Sequence, residues 1–155
     1  MAEFRAMLGG LGLQGVQSYI QSGNAVFRAT GDPGPAIAAG LAERFGLNLG
    51  LFLYDLPRYR AILAANPRAE AGRADGARVY LYFLARPVAV DLAPVLAHAR
   101  HGEALSVTPE AIYFHAPMGM GRSVLAEKLA GALKTGFTAR NQRSAEAILA
   151  LAEAL

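Results

Sequence analysis

Residues 78–85 read Arg-Val-Tyr-Leu-Tyr-Phe-Leu-Ala. This mostly apolar run has the length of a strand, and it is the starting point for predicting the fold of the second half of the chain. Aromatic and β-branched residues in a run of this length predict a buried strand. The segments that follow it are a helix from Asp91 to about Arg100, strands near 105–107 and at 111–115, a helix at 123–133, an extended piece near 137–139 and a helix at 144–155. This half therefore predicts the order β-α-β-β-α-β-α.

The first half predicts the same order without its first strand. Its predicted elements are a short opening helix, strands at 16–20 and 25–29 joined by a hairpin at 21–24, a helix ending at Phe45, a strand at Leu49–Tyr54 and a helix from Asp55 to Asn66. We expect an α+β fold of two tandem ferredoxin-like (split βαβ) subdomains, the first lacking its initial strand.

The boundary is expected at residues 68–77, which contain no large apolar side chain and predict a linker. It separates an incomplete N-terminal subdomain at 1–67 from a C-terminal subdomain with a terminal helix at 78–155. The absent strand would be central in this topology, so either the chain is truncated or another strand replaces it. An exposed sheet edge of this kind favours a homodimer through the incomplete first sheet.

The composition is typical of a soluble globular protein. The chain has 155 residues, 15 basic and 12 acidic side chains, a net charge of +3 and no cysteine, which excludes disulfides and thiol chemistry. No segment approaches the ~20 apolar residues of a membrane-spanning helix. The opening Met1–Arg5 also lacks the pattern of a secretory signal. We therefore expect a cytoplasmic protein without membrane contact.

Four motifs carry a resemblance to a known family: Tyr19–Asn24, Asn66-Pro67, Ala116–Ser123 and Thr138–Asn141. Their order and spacing, over nearly the whole chain, resemble the bacterial domain of unknown function 1697 family. The resemblance implies a two-subdomain α+β fold of ferredoxin-like units and no assigned activity. The chain departs from the pattern in beginning after the family's opening apolar strand and glycine-containing loop. Arg68 and Gln142 also stand where the family commonly has an aromatic residue.

The loop Gly119–Ser123 carries the most chemistry of these motifs. It precedes a predicted helix, where backbone N–H groups and the positive helix end can hold a phosphate or carboxylate, with Arg122 as a bidentate partner. The Walker and dinucleotide patterns are both absent, since Val124 takes the third glycine's place. The alternative is a flexible turn in which Ser123 is an ordinary N-cap.

We expect three polar loops to converge in a groove between the subdomains and to bind a small anionic ligand there. The predicted ligand-binding residues are Ser22, Gly23, Asn24, Gly119, Gly121, Arg122, Ser123, Arg140 and Asn141. Gly119 and Gly121 would donate through the backbone, and the two arginines would pair with the ligand's charge. No catalytic residue, metal or cofactor is predicted.

Two other functions stay open. An enzyme acting on a phosphorylated or carboxylated small molecule would use His115 as acid or base, and needs a deep apolar pocket beside it. A weak single-stranded nucleic-acid binder would use the basic stretch 122–143 with Tyr80, Tyr82 and Tyr113 exposed on an open sheet.

A metal site has one weak candidate. His98 and His101 are three residues apart, with Glu103 following, and could share a metal ion. The alternative is that a cationic histidine is simply favourable near a helix C-terminus.

Overall fold

The computed structural model describes residues 1–155, and its tertiary contacts divide the chain into two units. Unit 1 contains Met1–Pro57 and Ala147–Leu155, and unit 2 contains Arg58–Glu146. The chain has seven α-helices, a two-stranded sheet and a four-stranded antiparallel sheet, which confirms the α+β class. None of the helices has the length and apolar character needed to cross a bilayer.

The N-terminal part of unit 1, Met1–Pro57, is built from two helices and a hairpin. Its elements are α1 (Ala2–Gly10), β1 (Gln14–Tyr19), β2 (Asn24–Arg28) and α2 (Gly34–Phe45). β1 and β2 pair antiparallel, with Tyr19 opposite Asn24, which confirms the predicted hairpin. Gly23 has a φ of +72°, a left-handed conformation that glycine adopts without strain. The helices bury Met7 and Leu8 from α1 against Ile37 and Leu41 from α2.

The predicted strand at Leu49–Tyr54 is wrong. Residues 47–55 have no regular secondary structure, and the sheet of unit 1 contains only β1 and β2. A strand exists only where a neighbouring strand takes up its backbone N–H and C=O groups, and β2 pairs with β1 alone. The segment therefore keeps an alternating apolar sequence without a sheet to join.

Unit 2 contains the four-stranded sheet. Its elements are α3 (Leu56–Ala64, from Arg58 onward), α4 (Ala69–Ala74), β3 (Val79–Leu84), α5 (Ala93–Leu96), β4 (Ala104–Val107), β5 (Ala111–His115), α6 (Val124–Ala132), β6 (Phe137–Asn141) and the start of α7 (Gln142–Glu153). The sheet order is β4-β5-β3-β6, with every neighbouring pair antiparallel. The element order predicted for residues 78–155 is confirmed, although α5 is shorter than predicted. Helix α7 begins in unit 2, and its residues from Ala147 belong to unit 1.

Both faces of this sheet are covered. The α6 face carries Tyr82 and Phe114, which join the core cluster formed with α5 and α6. The opposite α3 face carries Phe83, whose ring stacks on Tyr59 with centroids 5.6 Å apart. On the same face the Tyr113 O–H donates a 2.7 Å hydrogen bond to a backbone carbonyl of α3. Covering on both sides buries the central strands β3 and β5.

Residues 68–77, predicted to be a linker, lie inside unit 2 and include α4. A buried amide holds this segment: the Gln142 Nε2 donates to the Ala69 carbonyl at 3.1 Å. The Asn66 Nδ2 in turn donates to the Gln142 Oε1 at 3.1 Å. Gly72 lies so close to the Gln142 amide that a β-carbon there would overlap it. Gln142, one of the residues in which the chain departs from the family pattern, therefore makes a buried structural contact.

Candidate functional site

An open cleft of about 660 Å³ lies on the α6 face of unit 2. The sheet contributes Tyr82 from β3 and Phe137 and Ala139 from β6. The loop Met120–Ser123 and α6, including Glu127, line the remainder. The cleft therefore combines aromatic and apolar sheet residues with a polar loop that carries opposite charges.

The loop is shaped by a glycine turn and a helix cap. Gly119 has a φ of +87°, and the Arg78 guanidinium occupies the space where its β-carbon would be. The Gly119 N–H donates to the Ala116 carbonyl at 2.8 Å, so the backbone donor predicted for a ligand is already engaged. The Ser123 Oγ accepts a 3.0 Å bond from the Ala126 N–H, which confirms Ser123 as the N-cap of α6.

Arg122 and Glu127 are the charged side chains of the cleft. Both are exposed, and neither takes part in an ion pair or side-chain hydrogen bond. Gly121, which also lines the cleft, has open space around its α-carbon. The Arg122 guanidinium is thus available to an anionic group entering from solvent. Arg78 was not among the predicted residues, because only the folded chain brings the residue before β3 to this loop. Glu127 was also not predicted, although it lies in the first turn of the helix that directly follows the loop.

The Tyr82 phenol is the buried polar group of the cleft. Its O–H lies 3.4 Å from the Met120 Sδ, a weak hydrogen-bond acceptor. Burial, with a smaller contribution from neighbouring Tyr80, raises the pKa of Tyr82 to about 12. The phenol therefore stays neutral at physiological pH, and its O–H can donate a hydrogen bond to a stronger acceptor.

The structure does not bring Arg140 and Asn141 to the cleft. Side chains alternate between the faces of a strand, and Ala139 faces the cleft, so Arg140 lies on the α3 face. There its Nη1 donates to the Thr138 Oγ1 at 2.8 Å, and burial lowers the pKa of the Arg140 guanidinium. The Asn141 Oδ1 accepts a 2.9 Å bond from the Ser144 N–H in the first turn of α7.

The predicted residues Ser22, Gly23 and Asn24 form the hairpin turn of unit 1. The Asn24 Nδ2 donates to the Ser22 Oγ at 2.7 Å and to the Tyr19 carbonyl at 3.3 Å. These bonds are the turn chemistry that short polar side chains commonly provide. The cleft, by contrast, is lined by residues of unit 2 alone.

The structural requirements of the two other functions are not met at this cleft. His115 does not line it, because His115 follows the core residue Phe114 on β5 and so lies on the α3 face. Tyr82 and Tyr113 are only 2% and 1% exposed, so they offer no open aromatic surface for stacked bases. The tyrosines fill the core instead.

The basic stretch 122–143 does not form one continuous surface. Arg140 is half-buried on the α3 face, and Arg143 pairs with Asp75 at 3.6 Å. Asp75 also pairs with Arg78 at 3.4 Å, so a carboxylate lies among these cations. The structure contains no group of three or more His, Asp or Glu side chains placed to hold a metal ion.

Comparison with known families gives one match, over residues 1–113, to a family described as protein of unknown function DUF1697. The chain belongs to this family. The matched residues include the Tyr19–Asn24 and Asn66-Pro67 motifs but end within β5. The cleft loop Met120–Ser123 and the Thr138–Asn141 motif lie beyond the match.

The structure is also similar to the conserved bacterial protein SP0830 from Streptococcus pneumoniae. The superposition has a TM-score of 0.66 and 23% sequence identity, and it covers 99% of this chain and 88% of that one. At this level of identity, the similarity establishes a shared fold. No curated protein matches the chain significantly.

Proposed function

We propose that unit 2 is a ferredoxin-like module whose cleft binds a small organic anion with an apolar or aromatic part. The fold assignment is supported by the succession β3-α5-β4-β5-α6-β6 and the sheet order β4-β5-β3-β6, which are those of a split βαβ unit. Unit 1 carries the central part of the same succession, α1-β1-β2-α2, which supports a tandem arrangement.

The observation that carries the proposal is Arg122 at a cleft lined by Tyr82 and Phe137. Its volume of about 660 Å³ lies in the range of small-molecule sites, which are mostly apolar with a few orienting polar groups. A guanidinium without an intramolecular partner can pair with a carboxylate or phosphate through two parallel hydrogen bonds. The half-buried Phe137 ring and Ala139, rather than the buried Tyr82 ring, would then contact the apolar part of the same molecule.

Glu127 limits the negative charge that a ligand of the cleft can carry. Its carboxylate shares the cleft with Arg122, so a multiply charged anion would be repelled there as well as attracted. A singly charged organic acid meets one favourable charge and the apolar lining. This arrangement favours a monocarboxylate over a polyphosphate or a nucleic-acid backbone.

A titration with three probes tests the proposal. Phenylacetate has both the charge and the ring, benzyl alcohol has the ring alone, and inorganic phosphate has the charge alone. We expect phenylacetate to shift the amide NMR signals of Gly121 and Ala139 and to raise the melting temperature. Phosphate and benzyl alcohol should produce much smaller changes at the same concentration. Equal responses to all three probes, or no response to phenylacetate, would refute the proposal.

Three variants separate the contributions of charge. Arg122→Ala should weaken phenylacetate binding about tenfold, or about 1.4 kcal/mol, while changing the stability of the free protein by less than about 0.5 kcal/mol. Glu127→Gln should strengthen binding, because it removes a repulsive carboxylate. Arg73→Ala removes an equivalent charge from an exposed position of α4 and serves as the matched control with unchanged binding.

A further inference from the structure

Arg68 in unit 2 has an unsatisfied guanidinium. Its Nε is the one buried side-chain nitrogen or oxygen atom of the protein that has no hydrogen-bond partner. Its Nη2 donates a long 3.3 Å bond to the Ser106 Oγ, and no carboxylate forms an ion pair with it. An isolated buried donor is costly and rare in folded proteins, so its presence points to a partner from outside the chain.

The carboxylates next to this part of the sheet are engaged elsewhere. Glu110, which precedes β5, pairs with Arg58. The Oε2 of Glu103, which precedes β4, accepts a 3.0 Å bond from the Arg100 N–H. Arg68 is therefore a half-buried cation without an ion-pair partner, an arrangement that an anion entering from solvent would stabilise.

Two more polar side chains share this corner of the sheet. Ser106 lies opposite Tyr113 and hence on the α3 face, and its hydroxyl hydrogen has no acceptor within the chain. His115 lies opposite Ala104 and is the diagonal neighbour of Ser106 on the same face, about 7–8 Å away. The His115 side chain is half-buried and makes no hydrogen bond or ion pair within the protein.

The position of β4 gives a ligand access to this corner. β4 is an edge strand, with β5 on one side and no strand on the other. Ser106 on this strand is half-buried, and the adjacent Val107 is exposed. An anion therefore reaches the guanidinium from the open edge of the sheet without crossing the core. When Arg68 turns toward that anion, it gives up one long hydrogen bond and no ion pair.

We infer that Arg68, Ser106 and His115 form a second anion site, which binds a phosphate group, either free or as a monoester. An arginine donates two parallel N–H bonds to such a group. The serine hydroxyl and the imidazole N–H add two donors, and a phosphate group offers three strongly accepting oxygens where a carboxylate offers two. The cluster contains no carboxylate, whereas Glu127 opposes a second negative charge at the cleft.

An NMR titration with inorganic phosphate tests this site. It is run at constant ionic strength with chloride as the reference anion, near pH 7, where a phosphate monoester carries close to two negative charges. We expect saturable shifts of the Ser106 and His115 backbone amide signals, with a dissociation constant of about 1–10 mM. The signals of Gly121 and Ala139, which report on the cleft, should stay in place. Success or failure here is therefore independent of the phenylacetate result.

Single substitutions identify the groups that bind. Arg68→Gln should weaken phosphate binding about tenfold or more, and Arg68→Lys should also weaken it, because lysine keeps the charge without the fork. Ser106→Ala should weaken binding about threefold and provides a second test if Arg68→Gln does not fold. Arg73→Gln removes a charge from an exposed position of α4 and serves as the matched control with unchanged binding. Melting curves without phosphate establish which variants are folded.

Two further probes identify the form in which phosphate binds. Methyl phosphate that binds as tightly as inorganic phosphate would assign the site to monoesters, and its exclusion would assign the site to free phosphate. Acetate should bind more weakly than inorganic phosphate. The inference would be overturned by equal shifts in phosphate and chloride, by unchanged binding to folded Arg68→Gln and Ser106→Ala, or by acetate binding as tightly as phosphate.

Discussion

Raising the pH above the ordinary pKa of tyrosine should destabilise the folded protein through Tyr82. This residue is 2% exposed, and burial raises its pKa from the ordinary value of 10.0 to about 12. At pH values between these two pKa values, the Tyr82 phenol of the unfolded chain is deprotonated while that of the folded chain is still protonated. The folded state then binds more protons than the unfolded state, so the free energy of unfolding falls as pH rises.

The size of the loss follows from the width of that window. One pKa unit corresponds to about 1.4 kcal/mol, so a shift from 10.0 to about 12 amounts to about 2 to 3 kcal/mol lost across it. This stability is fully present below pH 10.0, the ordinary pKa of the phenol, and disappears as the pH passes through the folded-state value. It is a large share of the 5–15 kcal/mol typical of a whole domain.

The assay is urea denaturation of the unmodified chain and Tyr82→Phe at a series of pH values from 8 to 12. At pH 8 the variant should lose less than about 1 kcal/mol, since it gives up only a hydrogen bond to the weak acceptor Met120. Above pH 10 its stability should fall less steeply than that of the unmodified chain. Some slope will persist, because burial also raises the pKa of Tyr113. Parallel curves for the two proteins would refute the reasoning.

Two further tests replace glycines and concern the stability of the fold. Gly119→Ala should reduce the free energy of unfolding by more than about 1 kcal/mol, because its φ is +87° and Arg78 fills the space beside it, whereas Gly121→Ala should change it by less than about 0.5 kcal/mol. Urea denaturation of both variants checks this, and equal losses would contradict it. Gly72→Ala should be strongly destabilising, because the added methyl group overlaps the Gln142 amide. Combining it with Gln142→Ala should recover part of the loss in the same assay; additive losses would show that the overlap is not the cause.

The elements of the second half were predictable because their signals are local. The run Val79–Leu84 has strand composition along its whole length, and Ser123 is an N-cap by residue type and position. Helix α4 was missed although Ala69–Ala74 is rich in good helix formers, because the segment has no apolar stripe. Its position depends on Gln142, about seventy residues further along the chain, which no local pattern indicates.

The prediction of a strand at Leu49–Tyr54 was wrong because a strand depends on a neighbouring strand as well as on its own sequence. Its local pattern is correct for a strand, but strand formation needs a neighbour, and a single sequence does not show whether one is present. For the candidate site, the position of the loop and Arg122 was predictable. The position of Glu127 was also readable, since it lies in the first turn of the helix predicted directly after the loop, whereas the face on which Arg140 lies and the Tyr82–Met120 contact depend on tertiary packing.

Helix α7 makes unit 1 discontinuous in sequence. Residues 58–146 of unit 2 are continuous in sequence, but unit 1 needs Ala147–Leu155 as well as Met1–Pro57. At the end of the chain the Leu155 Cδ2 lies 3.1 Å from where a β-carbon on Gly15 would be. The two parts of unit 1 can therefore pack together only by closing the loop 58–146, whereas unit 2 packs from contiguous sequence. Because closing this loop costs entropy before the contacts of unit 1 form, unit 1 should complete its packing more slowly than unit 2.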